Sequence, residues 1–353
     1  MLKHKNSMIA LSATLLVASC GGGGSSDSAS APVSPAAFGG NGTTTTSTTS
    51  GKVVDGYIVN AEVFCDTNNN GVRDAGEQTV LTDAQGSFTF TTACSSTIVA
   101  SGGTDTATGL PLRSILKAPA GSTVVTAGTS LLANTSLARD RLVAALGLPA
   151  GTNITGLDPA AIGTGGALVN ATLLQRTLAL QQVVQQIADA IAALLPNSTP
   201  AQAQAIYVET ATAAGNVLQT SSSTTLVSSG GTVDPATVNA IAQQALANVE
   251  ASADVRLTEA KAALDTFSKA NVAALVAPAI ATQAQSLATS VNSDSLTRAT
   301  QSDTTVIDAV RQEAALLKSS VGNNASLSAA ATSLLQLVEA AIAEAKTAAL
   351  TAR

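Results

Sequence analysis

The stretch Asp66–Glu77, DTNNNGVRDAGE, places oxygen-bearing side chains at alternate positions around a central glycine. Ca²⁺ takes about six to eight hard oxygen ligands, and consecutive residues can supply them only where the chain turns sharply. Gly71 permits such a turn because it has no Cβ. The pattern predicts a calcium loop. The expected ligands are the side chains of Asp66, Asn68 and Asn70, the carbonyl of Val72, Asp74 through a water, and both carboxylate oxygens of Glu77.

A second interpretation of the same stretch is a polar hairpin connection that binds no metal. Asn and Gly are favoured in turns for reasons of their own, so the run NNNG at 68–71 does not separate the two interpretations. Asp74 and Glu77 stand in register with that run, and this favours the calcium loop.

Residues on both sides of the loop alternate between apolar and polar, which is the period of a β-strand. The turn Asp83-Ala84-Gln85-Gly86 follows, because Asp can close an Asx turn and Gly tolerates positive φ. We expect the strands on its two sides to pair. The predicted strands are 53–59, 61–65, 79–82, 87–91, 96–100, 114–117 and 123–126.

Three groups of residues carry a resemblance to a known family: VDGYI at 54–58 followed by Ala61 and Val63, the loop 66–77, and TDAQGSFTF at 82–90. Together they resemble the prealbumin-type β-sandwich modules of bacterial surface proteins. These include the calcium-binding B-type repeats of Ser-Asp-rich adhesins and the carboxypeptidase-regulatory-like domains. The segment 100–132 is similar to a continuation found after such modules.

The resemblance covers about 80 residues and implies a small antiparallel sandwich, used as a spacer or presentation module and braced by Ca²⁺. Arg73 departs from the calcium loops that helices flank, which usually have an apolar residue there, so helical flanks are not expected. With three carboxylates the site should be weak, which suits extracellular affinities of about 10⁻⁴ to 10⁻³ M.

The N-terminal residues have the pattern of a secretory signal. Lys3 and Lys5 precede an apolar run at 8–17 that is too short to span a bilayer. Val17-Ala18-Ser19-Cys20 resembles the lipobox of bacterial lipoproteins, which implies cleavage after residue 19 and a lipid on Cys20. Gly21 after the cysteine implies delivery to the outer membrane. An ordinary signal peptide with Cys20 as a plain thiol is the alternative.

Cleavage after residue 19 would remove the only histidine of the chain, His4. Neither a Ser-His-Asp triad nor an imidazole metal site can then be built. The charged fraction is 11 % and the net charge is −6, with no basic block, so nucleic acid is not an expected partner. We predict that the protein is not an enzyme.

The remaining cysteines, Cys65 and Cys94, would lie in an oxidising compartment once Cys20 is lipidated. We predict a disulfide between them, which would contribute ~3 kcal/mol in the chain-entropy model if their Cβ atoms can meet. Two free thiols are the alternative.

Composition divides the chain into four parts: a signal peptide at 1–19, a lipidated Cys20 with a flexible Gly/Ser/Thr tether at 20–51, the β-sandwich at 52–129 and a helical region at 130–353. In the last part, Leu, Ile and Val recur every three or four residues among many alanines, which predicts an antiparallel helical bundle. Asp234 and Thr199 each precede Pro and have the pattern of helix N-caps. Pro278 should bend or divide its helix. The predicted helices are 130–146, 167–195, 200–220, 235–291, 294–320 and 325–351.

The sequence therefore predicts an α+β multidomain lipoprotein of the outer membrane or cell surface, with a structural or adhesive role and structural Ca²⁺. Its partners would be the membrane, through the lipid, and a protein of the cell envelope. An alternative is an envelope binding module whose helical bundle receives an apolar ligand or a partner helix. An enzyme that uses carboxylates and Ca²⁺ on glycans is the least favoured, because it needs two carboxylates about 5–10 Å apart in a cleft.

Overall fold

The computed structural model describes residues 47–290, except 107–108, 110, 194, 196–197 and 265–268. The predicted signal peptide, Cys20 and the predicted helices 294–320 and 325–351 lie outside the described residues. Within them the chain combines several sheets with seven α-helices, which confirms the mixed α+β class.

Nine short strands form three sheets in the described part of the chain. The largest sheet is antiparallel with the order β4-β3-β6-β8, and a two-stranded sheet pairs β2 with β7. The third has the order β5-β1-β9, in which β1 and β9 run parallel, unlike the all-antiparallel arrangement that we predicted. The strands are β1 (Ser50–Val53), β2 (Ile58–Val59), β3 (Glu62–Asp66), β4 (Thr79–Leu81), β5 (Ser87–Thr89), β6 (Thr97–Ser101), β7 (Thr104–Asp105), β8 (Ile115–Ala118) and β9 (Val124–Val125).

The predicted strand 53–59 is broken in the structure by a tight turn in which Val54 bridges Tyr57. The turn forms because its backbone amides are taken by the segment around β7. Gly56 N–H donates to Asp105 Oδ1 at 3.1 Å, and Tyr57 N–H donates to Thr106 Oγ1 at 3.2 Å. The two halves of the predicted strand consequently become β1 and β2, which belong to different sheets.

The turn at Asp83 forms as predicted, but the strands beside it do not pair with each other. Asp83 Oδ1 accepts from Gln85 N–H at 2.9 Å and from Ser87 N–H at 2.8 Å. Gly86 has a φ of 67°, and a Cβ there would lie 2.7 Å from the carbonyl oxygen of Val53. Because Gly86 packs on the backbone of β1, β5 pairs with β1 while β4 stays on β3. The turn is thus a corner between two sheets.

The four-stranded sheet is buried on two faces. Along each strand alternate side chains point to opposite faces. One face belongs to the main apolar core, which it shares with Val53, Phe88 and Val125 of the three-stranded sheet. The second face carries Phe64 and Val99, which pack near Val208 of a helix. The first face comprises Val63, Cys65, Ile98, Ala100, Leu116 and Ala118.

The described helices are amphipathic and rich in alanine. Four of them form a closed ring of contacts, in which α3 touches α4, α4 touches α5, α5 touches α7 and α7 touches α3. Their buried side chains belong to the same apolar core as the first sheet face, so strands and helices share one apolar layer. The helices are α1 (Ala127–Asn134), α2 (Arg139–Ala145), α3 (Ala171–Ala193), α4 (Pro200–Thr220), α5 (Pro235–Ala251), α6 (Thr258–Leu264) and α7 (Lys269–Ser290).

The predicted N-caps are confirmed. Thr199 Oγ1 accepts from Gln202 N–H at 3.2 Å, the Gln202 side chain accepts from Thr199 N–H, and α4 spans the predicted range 200–220. Asp234 accepts from the first amides of α5. A hydroxyl or carboxylate before Pro satisfies amides that the helix itself cannot.

The prediction of a single helix at 235–291 is wrong. Helix α5 ends at Ala251, and a 3-10 turn at Val255–Leu257 leads into α6. A bend or a division was predicted at Pro278, and α7 continues through this residue without a division. Proline removes one backbone hydrogen bond. Ala274, whose carbonyl loses that bond, and Pro278 are both exposed, so water can hydrate the carbonyl.

A buried polar network crosses from the strands to the helices inside this core. Tyr207 OH on α4 donates to Gln181 Oε1 on α3 at 2.8 Å, and Gln181 Nε2 donates to Ser114 Oγ at 3.1 Å. Gln181 also hydrogen-bonds the Asp55 carboxyl of the β1–β2 turn. Burial, and then the nearby Asp105 carboxylate, raise the pKa of Asp55 well above its ordinary value. The folded state therefore favours the protonated form of Asp55 more than the unfolded chain does.

We predict that Asp55 makes the protein less stable as pH rises. A raised folded-state pKa means that the folded chain binds more protons than the unfolded one between the ordinary pKa of 3.8 and the raised value. Between those two values the folding equilibrium constant should fall by up to about tenfold for each pH unit. Asp55→Asn, which keeps the neutral shape, should raise the melting temperature at pH 8 and flatten the pH profile. The exposed Asp140→Asn on α2 is the control, and identical profiles for Asp55→Asn and wild type would contradict the prediction.

Candidate metal site

The loop Asp66–Glu77 joins β3 to β4, which are neighbouring antiparallel strands. It is therefore flanked by strands, as the sequence predicted. Cys65 N–H donates to the Gln78 carbonyl at 3.1 Å and closes the base of the loop. The whole segment is thus a hairpin connection whose two ends are held together by the sheet.

Asp66 organises the first half of the loop. Its side chain is buried, with 1 % of the residue exposed, although it lies next to solvent-exposed asparagines. Asp66 Oδ1 accepts from Asn70 N–H at 3.1 Å, and Oδ2 accepts from Gly71 N–H at 2.7 Å. Gly71 has a φ of 73°, the left-handed conformation that glycine adopts without strain. These two hydrogen bonds therefore hold the chain in a turn around the Asp66 carboxylate.

Three other predicted ligands converge on one point. Asn68 Nδ2 and Asn70 Nδ2 both donate to Asp74 Oδ2, at 2.8 and 2.7 Å. Their amide oxygens accept from the loop backbone, Asn68 Oδ1 from Asn70 N–H and Asn70 Oδ1 from Val72 N–H. The structure thus gathers Asn68, Asn70 and Asp74 on the turn that Asp66 builds.

Glu77 lies apart from that convergence. Its carboxylate accepts from Asp74 N–H at 3.0 Å and from Thr67 N–H at 2.7 Å, so it bridges the two halves of the loop. These hydrogen bonds, the one from Asp74 first, lower the pKa of Glu77. At neutral pH Glu77 is an ionised brace for the backbone rather than part of the Asp74 cluster.

The donor set fits a hard divalent cation. Its side chains offer only carboxylate and amide oxygens, which are the ligands that Ca²⁺ selects. Rotation of the Asn68 and Asn70 amides by 180° would present oxygens to the point that their nitrogens now occupy. Across the part of the chain that is described, no group of three or more His, Cys, Asp or Glu side chains is already placed as a metal cluster. Ion binding would therefore require those amides, and Glu77, to rearrange.

The disulfide Cys65–Cys94 is present and lies directly beside Asp66. The residues after Cys94 hold the loop from the other side. Ser96 Oγ donates to the Asp66 carbonyl at 2.5 Å, and Thr97 Oγ1 donates to Asn69 Oδ1 at 2.8 Å. The disulfide and these two hydroxyls therefore attach the loop to the start of β6.

We predict that Cys65→Ala with Cys94→Ala lowers the free energy of unfolding by about 2–4 kcal/mol, because the unfolded chain loses its cross-link. Urea unfolding of the double variant and of wild type measures the difference. Wild type unfolded with a reductant should match the double variant, which serves as the internal control. Equal urea midpoints for all three samples would contradict the prediction.

Lys117 is the residue near the loop that the sequence did not reveal. It belongs to β8, far along the chain, and a Cβ on Gly71 would lie 3.0 Å from its Nζ. Burial lowers the pKa of Lys117 most, while the Asp66 carboxylate acts in the opposite direction. Only the pairing of β8 with β6 places this ammonium beside the loop, and residue spacing does not encode that pairing.

Comparison of the chain with protein-family models, curated proteins and solved structures gave no match. Among the residues that the structure describes, no helix is long and apolar enough to cross a membrane.

Proposed function

We propose that the loop Asp66–Glu77 binds Ca²⁺ and braces a small β-sandwich on a lipid-anchored protein of the outer membrane or cell surface. The observation that carries the proposal is the convergence of Asn68 and Asn70 on Asp74 beside the buried Asp66 carboxylate. Bound Ca²⁺ would supply a positive charge that ties these oxygens together. The residues that would hold it are Asp66, Asn68, Asn70, Asp74 and the Val72 carbonyl, with Glu77 after it leaves the backbone.

The sandwich interpretation is supported by the shared core of the two larger sheets. Val53 and Phe88 of one sheet lie in the same apolar cluster as Val63 and Ile98 of the other. Two sheets that share one apolar layer are the basis of a β-sandwich. The closed contacts of α3, α4, α5 and α7 likewise support a helical bundle packed against it.

Several properties of the chain support a structural or adhesive role. The loop, the disulfide and the buried polar network all rigidify, and none provides a reacting group in a cleft. The lipobox-like sequence ending at Cys20 and the tether after it would hold the folded part outside the cell. A rigid module joined to a lipid anchor by a Gly/Ser/Thr-rich segment suits presentation or spacing.

Calcium should raise the melting temperature of the protein, because a ligand that binds only the folded state stabilises it. With a Kd near 1 mM, 10 mM Ca²⁺ should add about 1.4 kcal/mol. Asp66→Ala and the milder Asp74→Asn should each abolish the increment. The measurement is thermal unfolding in EDTA and at several calcium concentrations.

Asp83→Asn is the matched control, since it removes the same charge from a turn outside the loop and an Asn can still accept from Gln85 and Ser87. It should keep the full calcium increment. A melting curve of the wild-type protein that is unchanged by Ca²⁺ would refute the calcium brace.

The anchor is tested separately. Full-length protein expressed in a bacterial host should sediment with the outer membrane and incorporate labelled palmitate. Cys20→Ala should lose the label and lose its attachment to the membrane, because the acyl chains on this cysteine would provide the affinity. Unlabelled wild-type protein would contradict the lipid anchor.

A further inference from the structure

The strand register places Lys117 and Asp66 on the same face of the four-stranded sheet. Phe64 pairs with Val99, and Val99 pairs with Lys117, so these three share one face. Asp66 is two residues beyond Phe64 and therefore points to that face as well. The long Lys117 side chain can thus reach diagonally across β6 toward the start of the loop.

The backbone of Lys117 is fixed by helix α1. Lys117 N–H donates to Ser130 Oγ at 2.8 Å, and its carbonyl accepts from Thr129 Oγ1 at 2.8 Å. Thr129 also belongs to the capping box of α1 with Thr126. Both main-chain polar groups of Lys117 are therefore bound to a helix end, and its side chain projects from a rigid point.

The Lys117 ammonium stands over the turn that the Asp66 carboxylate forms. A Cβ at Gly71 would come within 3.0 Å of Nζ and 3.7 Å of Cε, so the absence of a side chain at Gly71 makes room for the lysine. Gly71 N–H itself donates to Asp66 Oδ2. Lys117 Nζ therefore lies beside the glycine whose amide the Asp66 carboxylate binds, and Arg256 is the other cation whose charge acts on Lys117.

We propose that the Lys117 ammonium is the counter-ion of the Asp66 turn in the metal-free loop, and that it weakens calcium binding at this loop by repelling the ion. The proposal rests on the calcium site proposed above. A fixed cation keeps a buried carboxylate compensated when no metal is present, since an unpaired buried charge is costly. The same cation lowers the affinity for a divalent ion a few ångströms away.

The test compares Lys117→Met with wild type in two measurements. Isothermal titration calorimetry with CaCl₂ should show roughly five- to tenfold tighter binding, which is the size of the repulsion between a unit charge and a divalent ion at separations of roughly 6–8 Å in a water-like medium. Hydrogen exchange in EDTA should show faster exchange of the Asn70 and Gly71 amides, because the Asp66 carboxylate that they bind has lost its counter-ion. Lys117→Arg, which keeps the charge, should behave like wild type in both.

Arg139→Met is the control for overall charge, because it removes one positive charge from an exposed position on α2. It should leave both readouts unchanged. If Lys117→Met does not fold, Lys117→Gln replaces it in the same comparison.

Equal or weaker calcium binding by Lys117→Met would overturn the proposal. If Lys117→Met binds calcium and wild type does not, the proposed effect of Lys117 is supported and the calcium brace in the native chain is refuted. If neither protein binds calcium, the brace fails together with the claim about affinity, and the exchange rates decide whether Lys117 is the counter-ion. Faster exchange of the Asn70 and Gly71 amides in Lys117→Met would support the counter-ion role, and unchanged exchange would refute it.

Discussion

The candidate site depends on the Asp66 carboxylate, which accepts the amides of Asn70 and Gly71 at the end of a buried strand. This interaction turns the chain back on itself and presents the asparagines to Asp74. Its position is fixed by the neighbouring disulfide at Cys65, by Ser96 on the Asp66 carbonyl and by the register of β3 against β6. A buried carboxylate is costly unless it is compensated, and here the backbone amides of Asn70 and Gly71 donate to it.

The strands and helices are joined by apolar packing and by a few buried polar contacts. Helices rich in alanine bury less area per residue, so apolar packing alone specifies the orientation of these helices against the strands only weakly. The network of Tyr207, Gln181 and Ser114 and the ion pair of Arg113 with Asp189, at 2.8 Å, connect α3 and α4 to the strands at defined points. Polar groups that must find partners in a low-dielectric core add specificity that alanines cannot. The sheet that holds the loop is thereby supported from the helical side.

Features that depend on adjacent residues were predictable from the sequence. The loop between strands, the Asp83 turn and the caps at Thr199 and Asp234 each follow from local hydrogen bonding by short polar side chains. The disulfide was predictable because the lipobox-like pattern at Cys20 left Cys65 and Cys94 as one pair in a predicted oxidising compartment.

Features that depend on pairing between distant strands were not predictable. Three features arise from sheet register, which the alternation of apolar and polar residues along a strand does not specify. They are the corner at Gly86, the parallel pair of β1 with β9 and the approach of Lys117 to the loop. Whether Pro278 divides its helix was not predictable for a related reason, since its effect depends on whether water reaches the carbonyl that it leaves free. For the site, the sequence supplied the oxygen donors but neither the position of Glu77 nor the presence of Lys117 beside Gly71.

The most direct measurement is a crystal structure of residues 47–353 or of the full chain grown in 10 mM CaCl₂, with an anomalous difference map. We predict one peak at about 2.3–2.6 Å from oxygens of Asp66, Asn68, Asn70 and Glu77 and from the Val72 carbonyl, with Asp74 bound to the ion through a water. A well-ordered loop with Asn68 and Asn70 still bonded to Asp74, and no anomalous peak between them, would contradict it.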